Sequence, residues 1–100
     1  MNEQGIEQEI QDKGLNAPRL TPELIDKKIK KVKFHVFDDS QLTVCCMTLS
    51  NGFTVTGESA CASPENFNKE LGEKIAKENA RNKIWMLEGY LLKENLHQTC

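Results

Sequence analysis

What this 100-residue chain lacks narrows its function before any motif is considered. No apolar run approaches the roughly 20 residues that span a bilayer as a helix. The opening MNEQGIEQEIQDKG has neither the basic start nor the apolar segment of a secretory signal, so a cytoplasmic protein is expected. A formal net charge of -2 gives no general attraction to nucleic acid or to an acidic membrane. There is no CxxC pair. Cys45 and Cys46 are adjacent, Cys61 stands alone and Cys100 is the last residue, a spacing that fits neither a zinc knuckle nor a thioredoxin-like motif. Reduced thiols serving as small apolar side chains are expected instead. His35 and His97 have no partner at metal-ligand spacing. Asp38 and Asp39 read as turn residues, no glycine-rich phosphate loop is present, and Ser59 or Cys61 would be a nucleophile only with His35 folded beside it. The expectation is a protein that is not an enzyme and needs no cofactor or metal.

What is present describes one small domain, with 38% hydrophobic and 28% charged residues, an ordinary balance for a soluble chain. Residues 1–20 are polar and read as a mobile arm, with a frayed helical turn around residues 6–10. In TPELIDKKI, Thr21 caps, Pro22 takes the first helical position, and Leu24, Ile25 and Ile29 share one side of a two-turn helix. Val32, Phe34 and Val36 then alternate with Lys31, Lys33 and His35, the period of a half-buried strand. LTVCCMTL and FTVTGESA are two further strands, joined at Asn51-Gly52, a strong short-range hairpin signal. After them Ser63 caps and Pro64 opens a long helical stripe through Phe67, Leu71, Ile75, Ala76, Ala80, Ile84, Leu87 and Leu91. That run reaches Leu96, and it predicts one bent helix or two with a break near Trp85-Met86.

The fold class is therefore α+β: a three-stranded antiparallel meander packed on one face by a long C-terminal helix or two consecutive helices, with a short N-terminal helix. The domain covers residues 21–96, with a tail at 97–100. A two-residue hairpin loop places Thr48 opposite Val55 and Cys46 opposite Gly57. One face then carries Leu42, Val44, Cys46, Phe53 and Val55 and is expected to be core. The other carries Thr43, Cys45, Met47, Leu49, Thr54, Thr56 and Glu58, a mixed face suited to a subunit interface or a ligand floor. Nothing in the chain is left to cover it, so a homodimer or higher homo-oligomer is expected.

Candidate binding residues follow from side-chain chemistry. Asn79, Arg81 and Asn82 interrupt the helical stripe. Asparagine offers paired donors and acceptors for a base edge, and arginine can grip phosphate or stack on a base. Phe67 is a candidate to stack a purine. Glu58 and Ser59 belong to a connector of small polar residues before a helix start, a natural seat for an anion. Lys31 closes the one basic block, KKIKK at 27–31, which suits a small phosphate-bearing ligand better than duplex DNA. Trp85 and Tyr90 are placed in the helix–sheet or subunit interface.

The elements TLSNGFTVTGESAC, NF, GEKIAKENA and IWMLEGYLL, in this order and spacing, resemble a widespread family of small tailed-phage proteins over residues 24–92. Many relatives have proline where this chain has Met86, which supports a break there. The architecture also resembles the phage anti-defence sponges of the Thoeris system. That resemblance implies non-enzymatic sequestration of a nucleotide second messenger, a cyclic ADP-ribose isomer or a cyclic oligonucleotide, in pockets at subunit interfaces in the host cytoplasm. Two other expectations stand beside it: a phage interaction protein that inhibits a host protein through the uncovered face, and a nucleic-acid-binding accessory protein using the basic block.

Overall fold

The computed structural model describes residues 2–99; Met1 and Cys100 lie outside the described residues. The order is α1 (Glu3–Asp12), α2 (Pro22–Lys28), β1 (Ile29–Val36), β2 (Leu42–Leu49), β3 (Thr54–Ala60), a 3-10 turn (Pro64–Asn66) and α3 (Lys69–Gln98). The strands form one antiparallel sheet in the order β1-β2-β3. The turn expected around residues 6–10 is the middle of the ten-residue α1, whose first amides are capped by the Asn2 side chain bonding Gly5 N. α2 starts as its sequence dictates, with the Thr21 hydroxyl accepting from Leu24 N and Pro22 at the first turn.

The β2–β3 register differs from the expected one by a single residue. Thr48 faces Thr54, Met47 faces Val55 and Cys45 faces Gly57. The loop holds three residues, Ser50 to Gly52, closed by Gly52 N on Leu49 O and by Leu49 N on Phe53 O. Only Gly52 takes a positive φ there, at 92°, so Asn51 does not play the part a two-residue type I′ turn requires. Because side chains alternate at period two, one residue of slip turns every β2 side chain to the other face. Cys45, Met47, Leu49 and Val55 are consequently buried under the helix, with Thr43 beside them. Leu42, Val44 and Cys46, expected in the core, lie on the face that no helix covers, between Lys33 and His35 of β1 and Thr56 and Glu58 of β3.

α3 is one continuous 30-residue helix with no break at Trp85-Met86. Its cap is not Ser63, which makes no side-chain capping bond and opens only the 3-10 turn. Asn68 caps it, its side-chain oxygen accepting from Leu71 N at 2.9 Å. Asn68→Ala should therefore cost about 1 kcal/mol, while Ser63→Ala stays within a few tenths. Chemical denaturation of the two variants checks the assignment.

The inward positions of α3 are Ala76, Ala80 and Ile84, all fully buried. Two alanines in succession let the helix backbone descend onto the sheet at Gly57, where a side chain would collide with helix backbone. Leu71 and Ile75 sit outside that contact and are 53% and 41% exposed. Trp85 packs against the core, whereas Tyr90, expected in an interface, is 73% exposed in this chain. Among the described residues, no helix is long and apolar enough to cross a membrane.

Candidate functional site

Where β3 hands over to α3, the chain leaves the sheet at Ala60, makes the 3-10 turn and re-enters as a helix at Asn68. This detour opens a shallow cleft of about 100 Å³. Its floor is Leu71, Gly72 and Ile75, and Ser59, Cys61, Asn66, Asn68 and Phe67 stand around it. Phe67 is 36% exposed. The Thr43 hydroxyl lies beneath Gly72, fully buried and with no hydrogen-bond partner among the described residues. Asn79 Nδ2 donates to Glu58 O at 2.9 Å and closes the free edge of β3 beside the cleft.

Four of the expected site residues thus gather at this junction: Ser59 and Phe67 line the cleft, and Glu58 and Asn79 are joined at its margin. The other three stand elsewhere. Asn82 is exposed on α3, and Lys31 is exposed on the uncovered face of the sheet, opposite Thr48. Lys28 of the basic block pairs with Glu88 at 3.2 Å. Arg81 faces α1 and α2, where its guanidinium is fully engaged. It donates to Glu3, to Asp26 Oδ1 at 2.8 Å and to Pro22 O at 3.3 Å, and Trp85 Nε1 donates to the same Glu3 carboxylate at 3.0 Å. Burial works against the Arg81 charge, but the bonds to Glu3 and Asp26 outweigh it and hold its pKa above the ordinary value.

A second arginine clamp lies one helical turn along α1. Arg19 grips Glu7 with both terminal nitrogens, at 2.6 and 2.8 Å, and Gln11 Nε2 donates to Glu7 at 2.7 Å. The Arg19 bond, then the Gln11 bond, holds the Glu7 carboxyl below its ordinary 4.5. A depressed carboxylate pKa contributes stability that is present above the unfolded-state value and is lost as pH falls through the folded-state value. The melting temperature of Glu7→Gln should fall below that of the wild type at pH 7. The gap should close as pH is taken below 4.5. A gap that persists unchanged at low pH would contradict this assignment.

Among the described residues, no three His, Cys, Asp or Glu side chains stand together as ligands. The described cysteines are free thiols, and burial pushes the Cys45 pKa up. His35 packs edge-on against Phe37, with ring centroids 4.5 Å apart.

The chain matches the family described as Phage protein (N4 Gp49/phage Sf6 gene 66) over residues 20–96, and it belongs to that family. The matched span contains the sheet, α2, the cleft and α3 to Leu96; α1 lies outside it. No curated protein and no solved structure matches the chain.

Proposed function

We propose that this phage protein is a non-catalytic capture protein: it binds and sequesters a nucleotide second messenger, a cyclic ADP-ribose isomer or a cyclic oligonucleotide, and so counters a host defence in the host cytoplasm. The observation that carries the reading is the cleft at the β3–α3 junction. There a half-exposed phenylalanine, Phe67, stands beside an apolar floor and the amide side chains of Asn66 and Asn68. An aromatic face, an apolar floor and amide donors and acceptors are what a stacked base needs. Capture requires neither turnover nor a cofactor.

The cleft's 100 Å³ is well below the roughly 300–1,000 Å³ of a site that encloses a drug-sized ligand. One chain therefore holds one end of such a ligand, and a second copy supplies the rest in a homodimer or larger homo-oligomer. Purified protein should gain melting temperature with the matching cyclic nucleotide and release it intact on boiling. Phe67→Ala should weaken binding by about 1–3 kcal/mol, the worth of one stacked base. No thermal shift and no released nucleotide, across cyclic ADP-ribose isomers and cyclic oligonucleotides, would end the proposal.

A second reading is inhibition of a host protein, favoured by the uncovered sheet face, where Leu42, Val44 and Cys46 run between Lys33 and His35 on one side and Thr56 and Glu58 on the other. It predicts one stoichiometric host protein in a pull-down, lost with Val44→Lys.

A further inference from the structure

We propose that the groove between the start of α2 and α3, covered here by α1, is a receptor for an acidic amphipathic helix of a partner protein, which displaces α1. This inference does not depend on nucleotide capture.

The groove has two cations and an apolar floor. Arg19 and Arg81 flank Leu20, Pro22 and Trp85. α1 meets them with the pattern Glu-x-x-Ile-Glu-x-x-Ile from Glu3 to Ile10. Its carboxylates are four residues apart, about one helical turn, and each sits on one guanidinium. Arginine with carboxylate is the geometrically selective pairing among ionic contacts, so the groove specifies where a docking helix must carry its acids.

The apolar half of the fit is incomplete. Between α1 and the floor remains a hollow of about 320 Å³, bounded by Ile6, Ile10, Leu20, Pro22 and Trp85. Ile6 is 48% exposed. The hollow is open to solvent, so larger apolar side chains there would bury carbon that α1 leaves wet. The polar contacts of α1 with the groove come from the Glu3 and Glu7 carboxylates. A helix with the same two acids and larger side chains at the two isoleucine positions makes every polar contact of α1 and fills the hollow as well. The family match adds a second argument: Leu20, Pro22, Arg81 and Trp85 lie within residues 20–96, and α1 does not. Arg81 and the apolar floor belong to the shared domain, whereas Arg19 and the present occupant lie outside it.

The test uses the full-length protein with Trp85, its one tryptophan, as reporter. Two peptides of residues 2–13 are compared, one unaltered and one carrying Ile6→Phe and Ile10→Phe. The altered peptide should give a saturable change in Trp85 emission at a concentration at least tenfold lower than the unaltered one. The unaltered peptide makes no contact that the tethered α1 lacks, and it competes against a high effective concentration. Adding Glu3→Lys and Glu7→Lys to the altered peptide should abolish binding, and Arg81→Glu in the protein should weaken it at least tenfold. The proposal is overturned if the altered peptide does not bind, or if its charge-reversed version binds equally well. Sedimentation showing that the groove is instead filled by α1 of a second copy would overturn it too. Because the charge-reversed peptide leaves the protein untouched, the result stands even if Arg81→Glu does not fold.

Discussion

Gly57→Val should unfold the domain or lower its melting temperature by about 12–24 °C, taking about 3 kcal/mol as the cost of overpacking and 4–8 °C per kcal/mol for a domain of this size. A first side-chain carbon at this position would meet the backbone of α3. Built on Gly57, it stands 2.2 Å from the Ala80 nitrogen, 2.4 Å from the Ala76 carbonyl oxygen and 2.8 Å from the Asn79 carbonyl carbon. All three are backbone atoms of α3, so no rotamer change relieves the clash. The helix must lift, and Ala76, Ala80 and Ile84 then lose their contact with the sheet. Gly89 provides the contrast. It lies within α3, and a methyl there would meet only Leu20 Cδ1, at 3.9 Å. Gly89→Ala should raise stability by roughly 0.5–1 kcal/mol through helix propensity. Thermal unfolding followed by circular dichroism separates the two outcomes.

Met47→Asp and Cys46→Asp should differ sharply although the two residues are neighbours. Met47 is fully buried against the inward face of α3. A carboxyl placed there either loses its hydration without a partner or folds protonated, at a cost of at least about 4 kcal/mol. Cys46 occupies the uncovered face, where the same change costs about 1 kcal/mol. The two-residue hairpin loop makes the reverse prediction, since it would bury Cys46 and expose Met47. Urea denaturation of both variants therefore measures the register directly.

That register shows where the sequence stops being informative. The Asn51-Gly52 signal marks the hairpin correctly, but the dipeptide serves both a two-residue loop and a three-residue loop with glycine at its positive-φ end. β2 does not decide between them, because Leu42, Val44 and Cys46 on one face balance Cys45, Met47 and Leu49 on the other. Gly57 and Val55 share a face in either register, so the alanines of α3 do not decide between them; the three-residue loop does, closed by Leu49 N on Phe53 O. The strands and the long helix were legible from periodicity, as was the presence of an uncovered sheet face; which face it is was not, because the register was off by one residue. The cap was not, because Ser63-Pro64 and Asn68 both begin a turn of helix and only the second continues.

The candidate site was legible by halves for a similar reason. Phe67 and Ser59 lie close in sequence on either side of a helix start, so their shared cleft is a local matter. Arg81 bonds to residues 55 and 78 positions away, a pairing no local pattern announces. Its position on the helix stripe suggested a ligand cation, and the fold spends it on α1 and α2.

Thirty residues make α3 about 45 Å long, whereas eight-residue strands reach only about 26 Å. The sheet therefore clamps a central stretch, and both ends run past it, with Met86 at 74% and Tyr90 at 73% exposure on the outward side. In kinetic terms the molecule holds a graded set of opening reactions along a single helix. Amide exchange should be slowest from Ala76 to Glu88, where Gly57, the inner core and the Lys28–Glu88 pair restrain the backbone. It should quicken toward His97 by fraying that never disturbs the sheet, so the last turns of α3 open and close many times for each global unfolding.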